Sequence, residues 1–283
     1  MIIMPINALS VDVEELFHGE YIRKYKTADA EYRTPKNILS VLNLFKEYKV
    51  TATFFIVGEI AEKHPDVIQL IKDGGHEIAF HGWSHIPLWK LDPDSFKIEV
   101  ARFKHLYPEC IGYRAPSFSL NNSTKWAIEI LKEEGFKYDS SLFPTWTPLY
   151  GSYRAPTRPY RPSFDNILKE DLKEEFVEFP LLIYRFLRLK IPAAGGFWLR
   201  VFNINIIADA IRNANNSGVL ASIFFHNWEV DDQVPEFKMP KINRFITYYN
   251  HESTKNKLSN LLKQYKFTSF SRCLSELCDK EKL

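Results

Sequence analysis

Cysteine is scarce in this chain of 283 residues, which contains only Cys110, Cys273 and Cys278. An odd and sparse set argues against a disulfide framework and is typical of proteins in a reducing compartment. The sequence also lacks an apolar run approaching the ~18 residues that identify a membrane-spanning helix. Its first residues show neither the basic segment nor the apolar segment of a secretion signal. We therefore expect a cytoplasmic protein with no membrane span.

An excess of one charge is absent as well. The formal net charge is +2, the sequence pI is about 8.2, and no long run of lysine and arginine stands out. Nucleic acid is therefore not an expected partner. Aromatic residues are abundant instead, with 6 Trp, 14 Tyr and 22 Phe. Such a surplus suits a protein whose side chains stack on flat ligands such as sugars.

Strand-like and helix-like patterns alternate along the chain, and 45% of its residues are hydrophobic, which is enough for a large core. Strand patterns cover 6–11, 51–57, 76–80, 111–113, 136–139, 175–184, 219–225 and 267–270, and helix patterns cover 35–48, 65–73, 92–106, 121–134, 201–216 and 253–265, with one more helix at the end. Alternation of this kind predicts right-handed crossovers between parallel strands. With about seven such units we expect an α/β barrel related to the TIM type, whose reacting groups lie at the carboxyl ends of the strands.

One stretch departs from this alternation. Residues 143–165 are rich in proline, arginine and aromatic residues, and the stretch is too long for a plain connection. No linker or repeat divides the chain, so we expect a single domain over 1–283 with a substrate-binding loop inserted around 143–165. A glycine-rich turn is expected at 193–198, ahead of the helix pattern that begins at 201.

Two histidines follow the strand pattern at 76–80. His81 and His85 are four residues apart, and on one helical turn this spacing places both imidazoles on the same face, within reach of one metal ion. The spacing alone also fits two surface or capping histidines. Their position at a strand end favours the metal site.

Two carboxylates end the first strand pattern. Asp12 and Glu14 are two residues apart, and both point the same way because side chains alternate along a strand. One of them can bind a metal beside the two histidines, and the other can accept a proton from an attacking water. Two histidines and one carboxylate suit Zn²⁺ or a similar divalent ion such as Co²⁺ or Ni²⁺. The alternative is a solvated acidic loop, since Glu15 follows.

Three further residues complete the set of catalytic candidates. Arg114 follows a short strand pattern and can hold the Asp12 carboxylate with its guanidinium fork, unless it forms a surface salt bridge. His226 ends an apolar strand pattern and can donate a proton to a leaving amine, unless it is a core histidine satisfied by its neighbours. Asp139, also at a strand end, is expected to contact the other ring nitrogen of His226 and raise its pKa.

Taken in order, these segments resemble the polysaccharide deacetylases of carbohydrate esterase family 4, which share the homology domain of the chitooligosaccharide deacetylases. The similar segments are Asp12-Val13-Glu14, His81-Gly82-Trp83-Ser84-His85, Arg114-Ala115-Pro116-Ser117, Gly135-Phe136-Lys137-Tyr138-Asp139-Ser140-Ser141 and Phe225-His226. The sequence around 113–119, 138–144 and 226–229 looks most like a subgroup associated with exopolysaccharide biosynthesis.

The resemblance implies a distorted (β/α)₇ barrel and a metal ion, usually zinc. The metal ligands that it implies are Glu14, His81 and His85. It gives Asp12 the role of base and His226 the role of acid. It also implies the removal of acetyl groups from N-acetylated hexosamines, so the expected partner is a glycan or a sugar precursor.

Two positions depart from the family's usual pattern. Val13 stands where a second aspartate is usual, so metal binding passes to Glu14. Ser117 replaces a common tyrosine and keeps its backbone N–H as a donor to the oxyanion. The expected substrate-binding residues are Ser117, Trp83, Trp146, Phe197, Trp198 and Trp228. For the aromatic residues, ordinary loop packing is the alternative.

The sequence therefore favours a metal-dependent hydrolase that removes N-acetyl groups from N-acetylhexosamine units of a glycan or glycan precursor. Two alternatives stay open. One is an amidohydrolase on the same barrel that acts on a cyclic ureide such as allantoin. The other is a non-catalytic glycan-binding protein, which the Val13 departure would support. The oligomeric state is not predicted.

Overall fold

The computed structural model describes residues 5–279 as an α/β fold built around a parallel sheet. The eight strands of this sheet are β1 (Asn7–Val13), β2 (Thr53–Ile56), β3 (Glu77–Phe80), β4 (Gly112–Tyr113), β5 (Tyr138–Asp139), β6 (Val177–Glu178), β9 (Ser222–His226) and β10 (Phe267–Thr268). Two further strands, β7 (Ile183–Phe186) and β8 (Leu189–Pro192), form a separate antiparallel hairpin.

Within residues 5–279, ten α-helices accompany these strands. They are α1 (Thr34–Tyr48), α2 (Gly58–Lys63), α3 (Pro65–Asp73), α4 (Pro93–Leu106), α5 (Trp126–Glu133), α6 (Phe197–Val201), α7 (Ile204–Asn216), α8 (Lys241–Tyr248), α9 (Ser253–Gln264) and α10 (Phe270–Asp279). Helix α4 shows how the sequence sets a boundary, because the Asp92 carboxylate accepts a hydrogen bond of 2.9 Å from Ser95 N and so caps its first turn.

Strand β1 lies at the centre of the sheet. It pairs with β2 and β9, while β10 pairs with its first residues, and the sheet continues through β3, β4 and β5 to β6. Beyond β6 the barrel closes through irregular backbone, where Leu182 N donates to Ser222 O at 3.0 Å and Phe224 N donates to Ala194 O at 2.9 Å. The predicted α/β barrel with parallel strands is confirmed, and each strand of its sheet overlaps one of the eight strand patterns in the sequence.

Side chains of the sheet alternate between two apolar layers. Val11 and Val13 point outward into the main core beneath the helices. Ala8 and Phe55 belong to a second cluster that fills the barrel interior. Asp12 is paired with Phe55 in register, so its carboxylate also points inward. The alternation of β1 therefore places an acidic side chain at the carboxyl end of the interior.

Two predicted elements begin or end elsewhere in the structure. The helix expected over 121–134 begins only at Trp126, because the Asn121 side chain accepts a hydrogen bond from Ser123 N and holds the preceding residues in a turn. The run at 175–184 is not one strand but divides between β6 and β7. Pro180, which lacks an N–H, falls between them and interrupts the ladder.

The expected glycine-rich turn at 193–198 is shorter than predicted, since α6 begins directly after Gly196. Gly195 has a φ of 155°, and a Cβ atom there would lie 1.7 Å from Phe224 O. Only glycine allows the chain to run this close to β9. Helices α2 and α8 had no counterpart in the sequence pattern.

Residues 143–165 form no helix and no extended strand, only isolated bridges at Tyr160 and Pro162. The prediction that this stretch is an irregular loop is therefore confirmed, while its role stays a prediction, as does a single domain over 1–283. Within residues 5–279, no helix combines the length and the apolar composition required to cross a membrane.

Candidate active site

Strands β1, β3, β4 and β9 deliver the candidate side chains to one end of the barrel. Asp12 lies opposite His226 in the register of β1 and β9. His81 directly follows β3, and Arg114 directly follows β4. Because the carboxyl ends of parallel strands meet at one edge, residues far apart in sequence share this site.

Three residues form a group that fits a divalent cation. One ligand atom from each of Glu14, His81 and His85 lies within 4.8 Å of the others, and His85 Nε2 is 2.8 Å from Glu14 Oε2. This oxygen is buried and finds no well-aligned hydrogen-bond donor among residues 5–279. An unsatisfied carboxylate oxygen facing two imidazoles is a donor set suited to Zn²⁺ and similar ions.

Hydrogen bonds orient both imidazoles of this group. His81 Nδ1 donates to Arg114 O at 2.8 Å, and His85 Nδ1 donates to His18 O at 3.1 Å. The Nε2 atoms therefore carry the free lone pairs that a metal needs. Burial lowers the pKa of His81 to about 4 despite the nearby Asp12 carboxylate, so this ring is neutral at pH 7.

Glu14 is held as an anion. Burial alone would raise its pKa, but the neighbouring His85 ring holds the pKa well below its usual range. Its backbone N–H donates to Asn227 Oδ1 at 2.9 Å, and its Oε1 accepts a hydrogen bond of 3.3 Å from Trp228 Nε1. The turn after β9 thus fixes the carboxylate that faces the histidines.

A buried arginine holds the second carboxylate. Arg114 Nη1 donates to Asp12 Oδ1 at 2.5 Å and to Ser10 Oγ at 2.8 Å, while its other nitrogens donate to Ser140. Its guanidinium carbon lies 4.1 Å from the centroid of the Phe55 ring. The structure therefore brings Arg114 to Asp12 as expected, but through one nitrogen instead of a two-nitrogen fork.

The other oxygen of Asp12 faces the metal-ligand group. Asp12 Oδ2 lies 3.9 Å from His81 Nε2, and the residue is 1% exposed. Since Arg114 occupies Oδ1, Oδ2 is the oxygen that can accept a proton from a water beside the three ligands.

His226 forms an ion pair with Glu229. Its Nδ1 donates to Glu229 Oε2 at 3.0 Å, and Arg200 Nε donates to Glu229 Oε1 at 2.7 Å. Burial would lower the pKa of His226, but the Glu229 carboxylate raises it to about 9. The pKa of Glu229 falls to about 2, because His226 and Arg200 outweigh its burial. His226 is therefore protonated at neutral pH.

The expected contact between Asp139 and His226 is wrong. In β5 the Tyr138 side chain points into the barrel interior, so Asp139, the next residue, points outward. Its carboxylate accepts hydrogen bonds from Ser141 N at 2.9 Å and Ser141 Oγ at 2.6 Å. Next to it, burial and the Asp139 charge raise the pKa of Glu178 well above its usual range. Asp139 therefore belongs to a buried carboxyl pair outside the site.

A cavity of about 140 Å³ lies over these groups. Of the expected substrate-binding residues, Ser117, Phe197 and Trp228 line it, together with Phe118, Tyr150 and Phe224. Ser117 and Phe118 have φ angles of 55° and 50°, a left-handed turn that L-residues adopt only when the surrounding structure holds them there.

Three other aromatic residues lie outside the cavity lining, against expectation. Trp83 is buried, stacks beneath the Arg102 guanidinium at 3.7 Å and packs on the backbone of Gly58. Trp146 is 74% exposed. Trp198 turns its indole N–H to Tyr150 Oη at 3.3 Å and so supports the cavity wall from behind. Trp83 and Trp198 therefore match the alternative of packing, whereas a substrate contact at the exposed Trp146 stays a prediction.

Sequence reasoning missed Glu229, Arg200 and Asn227 as parts of the site. The spacing His226-x-x-Glu229 directly after a strand was a usable signal, since a tight turn brings such residues together. Arg200 and Asn227 gave no comparable signal, because their contacts depend on helices and strands that are distant in sequence.

Two family models match the chain. The polysaccharide deacetylase family matches residues 25–138, and a domain of unknown function, DUF3473, matches residues 140–275. A peptidoglycan-N-acetylglucosamine deacetylase of Bacillus cereus is 36% identical over 108 residues, which are 36% of this chain and 37% of that protein. The chain spans less than two fifths of the length of the curated relatives that it matches first.

Solved structures share the fold over nearly the whole chain. A putative polysaccharide deacetylase from Mycobacterium smegmatis superposes with a TM-score of 0.61 and 18% identity, covering 99% of this chain and 96% of that one. An allantoinase, Puue, superposes with a TM-score of 0.60 and 18% identity, covering 95% and 89%. The expected distorted barrel of the polysaccharide deacetylase type is confirmed, and residues 25–138 form a match to the polysaccharide deacetylase family.

Proposed function

We propose that this protein is a metal-dependent hydrolase that removes N-acetyl groups from N-acetylhexosamine units of a glycan or glycan precursor. One observation carries the proposal: the buried, unsatisfied Oε2 of Glu14 faces two imidazoles beside a second carboxylate. The match of residues 25–138 to the polysaccharide deacetylase family and the deacetylase name of the Bacillus cereus relative support the same reaction.

Glu14, His81 and His85 would hold the ion, and a divalent cation bound there would polarise the acetamide carbonyl and acidify an attacking water. The rest of the reaction falls to residues of the chain. Asp12 Oδ2 accepts one proton of the water, and Arg114 holds the Asp12 carboxylate in the orientation that this transfer needs.

The acid lies on the strand next to that of the base, because His226 of β9 is the register partner of Asp12 of β1. His226 is protonated at neutral pH, and its Nε2 faces the site at 3.7 Å from Glu14 Oε1. It donates its proton to the amine nitrogen as the C–N bond breaks and the new C–O bond yields acetate. Glu229 keeps the ring charged and oriented until that step. The proton from His226 completes the free amine of the sugar, and the proton that Asp12 took passes through solvent back to His226, which restores both groups.

The Val13 departure is compatible with this assignment. Val13 is fully buried in the outer core, on the face of β1 opposite to Asp12. An aspartate at this position would point away from the histidines, whereas Glu14 points toward them. We therefore keep Glu14 as the acidic ligand, and we keep zinc, a cytoplasmic site of action and a role in exopolysaccharide biosynthesis as parts of the proposal.

Acetate release tests the proposal directly. Purified protein is stripped with a chelator, reloaded with Zn²⁺ or Co²⁺ and given N-acetylglucosamine oligomers or a lipid-linked glycan. We expect acetate release that depends on the added metal and disappears in His85→Ala. The variant His105→Ala changes an exposed histidine of α4 and serves as the control.

Other outcomes separate the alternatives. Turnover of a cyclic ureide without acetate release from any glycan would replace the proposal with an allantoinase-like activity, for which the likeness to Puue supports only the fold. Oligosaccharide binding with no turnover of any kind, in metal-loaded protein, would identify a glycan-binding protein instead.

A further inference from the structure

The reacting groups of this site are deeply buried. Asp12, Glu14 and His81 are 1%, 3% and 2% exposed, and His85 is 5% exposed. The His226 side chain is more accessible, at 22%. A scissile amide must therefore descend into the cavity to reach the base and the metal ligands.

Walls surround this cavity on several sides. They come from the loop after β1, the left-handed turn at 117–118, residues 149–150, helix α6 and helix α8. The volume of about 140 Å³ is well below the roughly 300 Å³ at which pockets for drug-sized ligands begin. A unit inside a polymer needs an open groove, because the chain must leave it in two directions.

Hydrogen bonds connect helix α8 to two other walls of the cavity, the loop after β1 and helix α6. Asn243 Nδ2, on α8, donates to Tyr21 O in the loop after β1 at 2.8 Å. Arg200, on α6, donates to Ile246 O at 2.8 Å and to Thr247 O at 2.7 Å. Arg200 is 2% exposed and also holds Glu229. Arg200 therefore connects the α8 wall of the cavity to Glu229, the hydrogen-bond partner of His226.

The lining favours one sugar ring. Phe118, Phe197, Phe224 and Trp228 offer ring faces and edges, which suit the apolar face of a hexose and the methyl of an acetamide. We propose that the cavity admits a single terminal N-acetylhexosamine unit, at the end of a short chain or on a carrier, and excludes the interior units of a polymer. This inference rests on the proposed deacetylase function.

Position mapping on defined oligomers tests the inference. Metal-loaded protein is incubated with N-acetylglucosamine oligomers of increasing length and with a long soluble polymer, and fragment mass spectrometry locates each free amine. We expect deacetylation at one chain end only. The initial rate per molecule should be the same within about twofold across the oligomers. Acetate release from the polymer should be slow, in proportion to the concentration of its chain ends.

Each other outcome has a distinct meaning. Free amines at interior units, with a rate that grows with chain length, would overturn the inference and leave the proposed function standing. No acetate from any oligomer, polymer or carrier-linked sugar would overturn the proposed function and the inference together.

A variant with a wider cavity gives a second test. The double variant Tyr21→Ala, Ile246→Ala removes two cavity-lining side chains that do not touch the base or the metal ligands. We expect interior deacetylation to rise at least tenfold relative to terminal deacetylation. The matched control Tyr153→Ala, Ile98→Ala changes two exposed residues outside the lining and should keep the terminal pattern. Melting temperatures of both variants establish that they fold, and a folded double variant with an unchanged pattern would contradict the inference.

Discussion

The two matched halves of the chain contribute different parts of the site. Residues 25–138, which match the polysaccharide deacetylase family, supply His81, His85 and Arg114. Residues 140–275, which match a domain of unknown function, supply His226 with Glu229 and the α6 and α8 walls of the cavity. Asp12 and Glu14 precede both matches. Under the proposed function, the first half would supply two metal ligands and the arginine that orients the base, and the second half would supply the acid and two walls of the cavity.

The halves also differ in how they place their residues. His81 and Arg114 directly follow strands of the sheet, so the backbone ladder sets their positions. Glu229 lies in a tight turn and Arg200 in a five-residue helix. These two positions depend on long-range hydrogen bonds such as those from Arg200 to 246–249. From this difference we predict that metal binding and proton donation can be disrupted separately.

The largest effect is expected in the first half. His81→Ala removes a ligand that the Arg114 carbonyl orients, and we expect a loss of bound zinc and a fall in kcat/KM of more than about 1000-fold. Zinc content by atomic absorption and acetate release measure the two losses. Full metal content and activity in this variant would remove the basis of the proposed function.

A smaller effect is expected in the second half. Glu229→Gln keeps the shape of the side chain but removes the charge that raises the pKa of His226 to about 9. We expect this pKa to fall toward the ordinary 6.5, so that only about a quarter of the rings are protonated at pH 7. For this reason kcat at pH 7 should fall by at least about fourfold. Metal content should be unchanged, in contrast to His81→Ala.

The pKa itself can be followed by NMR titration of metal-free protein. Because the folded pKa lies above the ordinary value, the ion pair stabilises the fold fully below about pH 6 and is lost as the pH rises through 9. Glu236→Gln, at an exposed pair with Arg244, is the control. An unchanged His226 titration in Glu229→Gln would assign the raised pKa to another group.

Much of this comparison was visible in the sequence. Strand and helix alternation predicted the parallel barrel, and the strand ends predicted that Asp12, Glu14, His81 and His85 would meet. Strand alternation was known for β1 from its apolar pattern, but β5 has only two residues, too few to tell which one faces inward. Asp139 was therefore assigned to the wrong face.

A paired prediction compares an aromatic residue that lines the cavity with an exposed one, both in the second half. Phe197 lines the cavity, whereas Trp146 lies outside the lining and is 74% exposed. We expect Phe197→Ala to raise KM about tenfold through the loss of ring contact with the sugar, and Trp146→Ala to change KM by less than about twofold. Steady-state kinetics on a short N-acetylglucosamine oligomer measure both. A larger effect at Trp146 would add this exposed residue to the part of the 143–165 loop, residues 149–150, that already lines the cavity.

The smallest effect is expected where the halves join. Asp139 and Glu178 form a buried carboxyl pair, and Ser141, which Asp139 holds, accepts a hydrogen bond from Ala115 N of the first half. Since burial and the Asp139 charge raise the pKa of Glu178, the folded state keeps a proton that the unfolded state loses. The stability from this proton is complete below the ordinary pKa of glutamate and declines as the pH rises, by at most about 1.4 kcal/mol per pH unit.

Glu178→Gln supplies a permanent neutral donor of the same shape and should remove that decline. We expect the stability of the variant relative to the unmodified protein to be greater at pH 8 than at pH 5. The difference between their free energies of unfolding should change by about 1 kcal/mol or more between the two pH values. Urea unfolding at the two pH values measures the difference, with Glu133→Gln on the exposed face of α5 as the matched control. Equal differences at both pH values would mean that Glu178 is ionised in the folded protein.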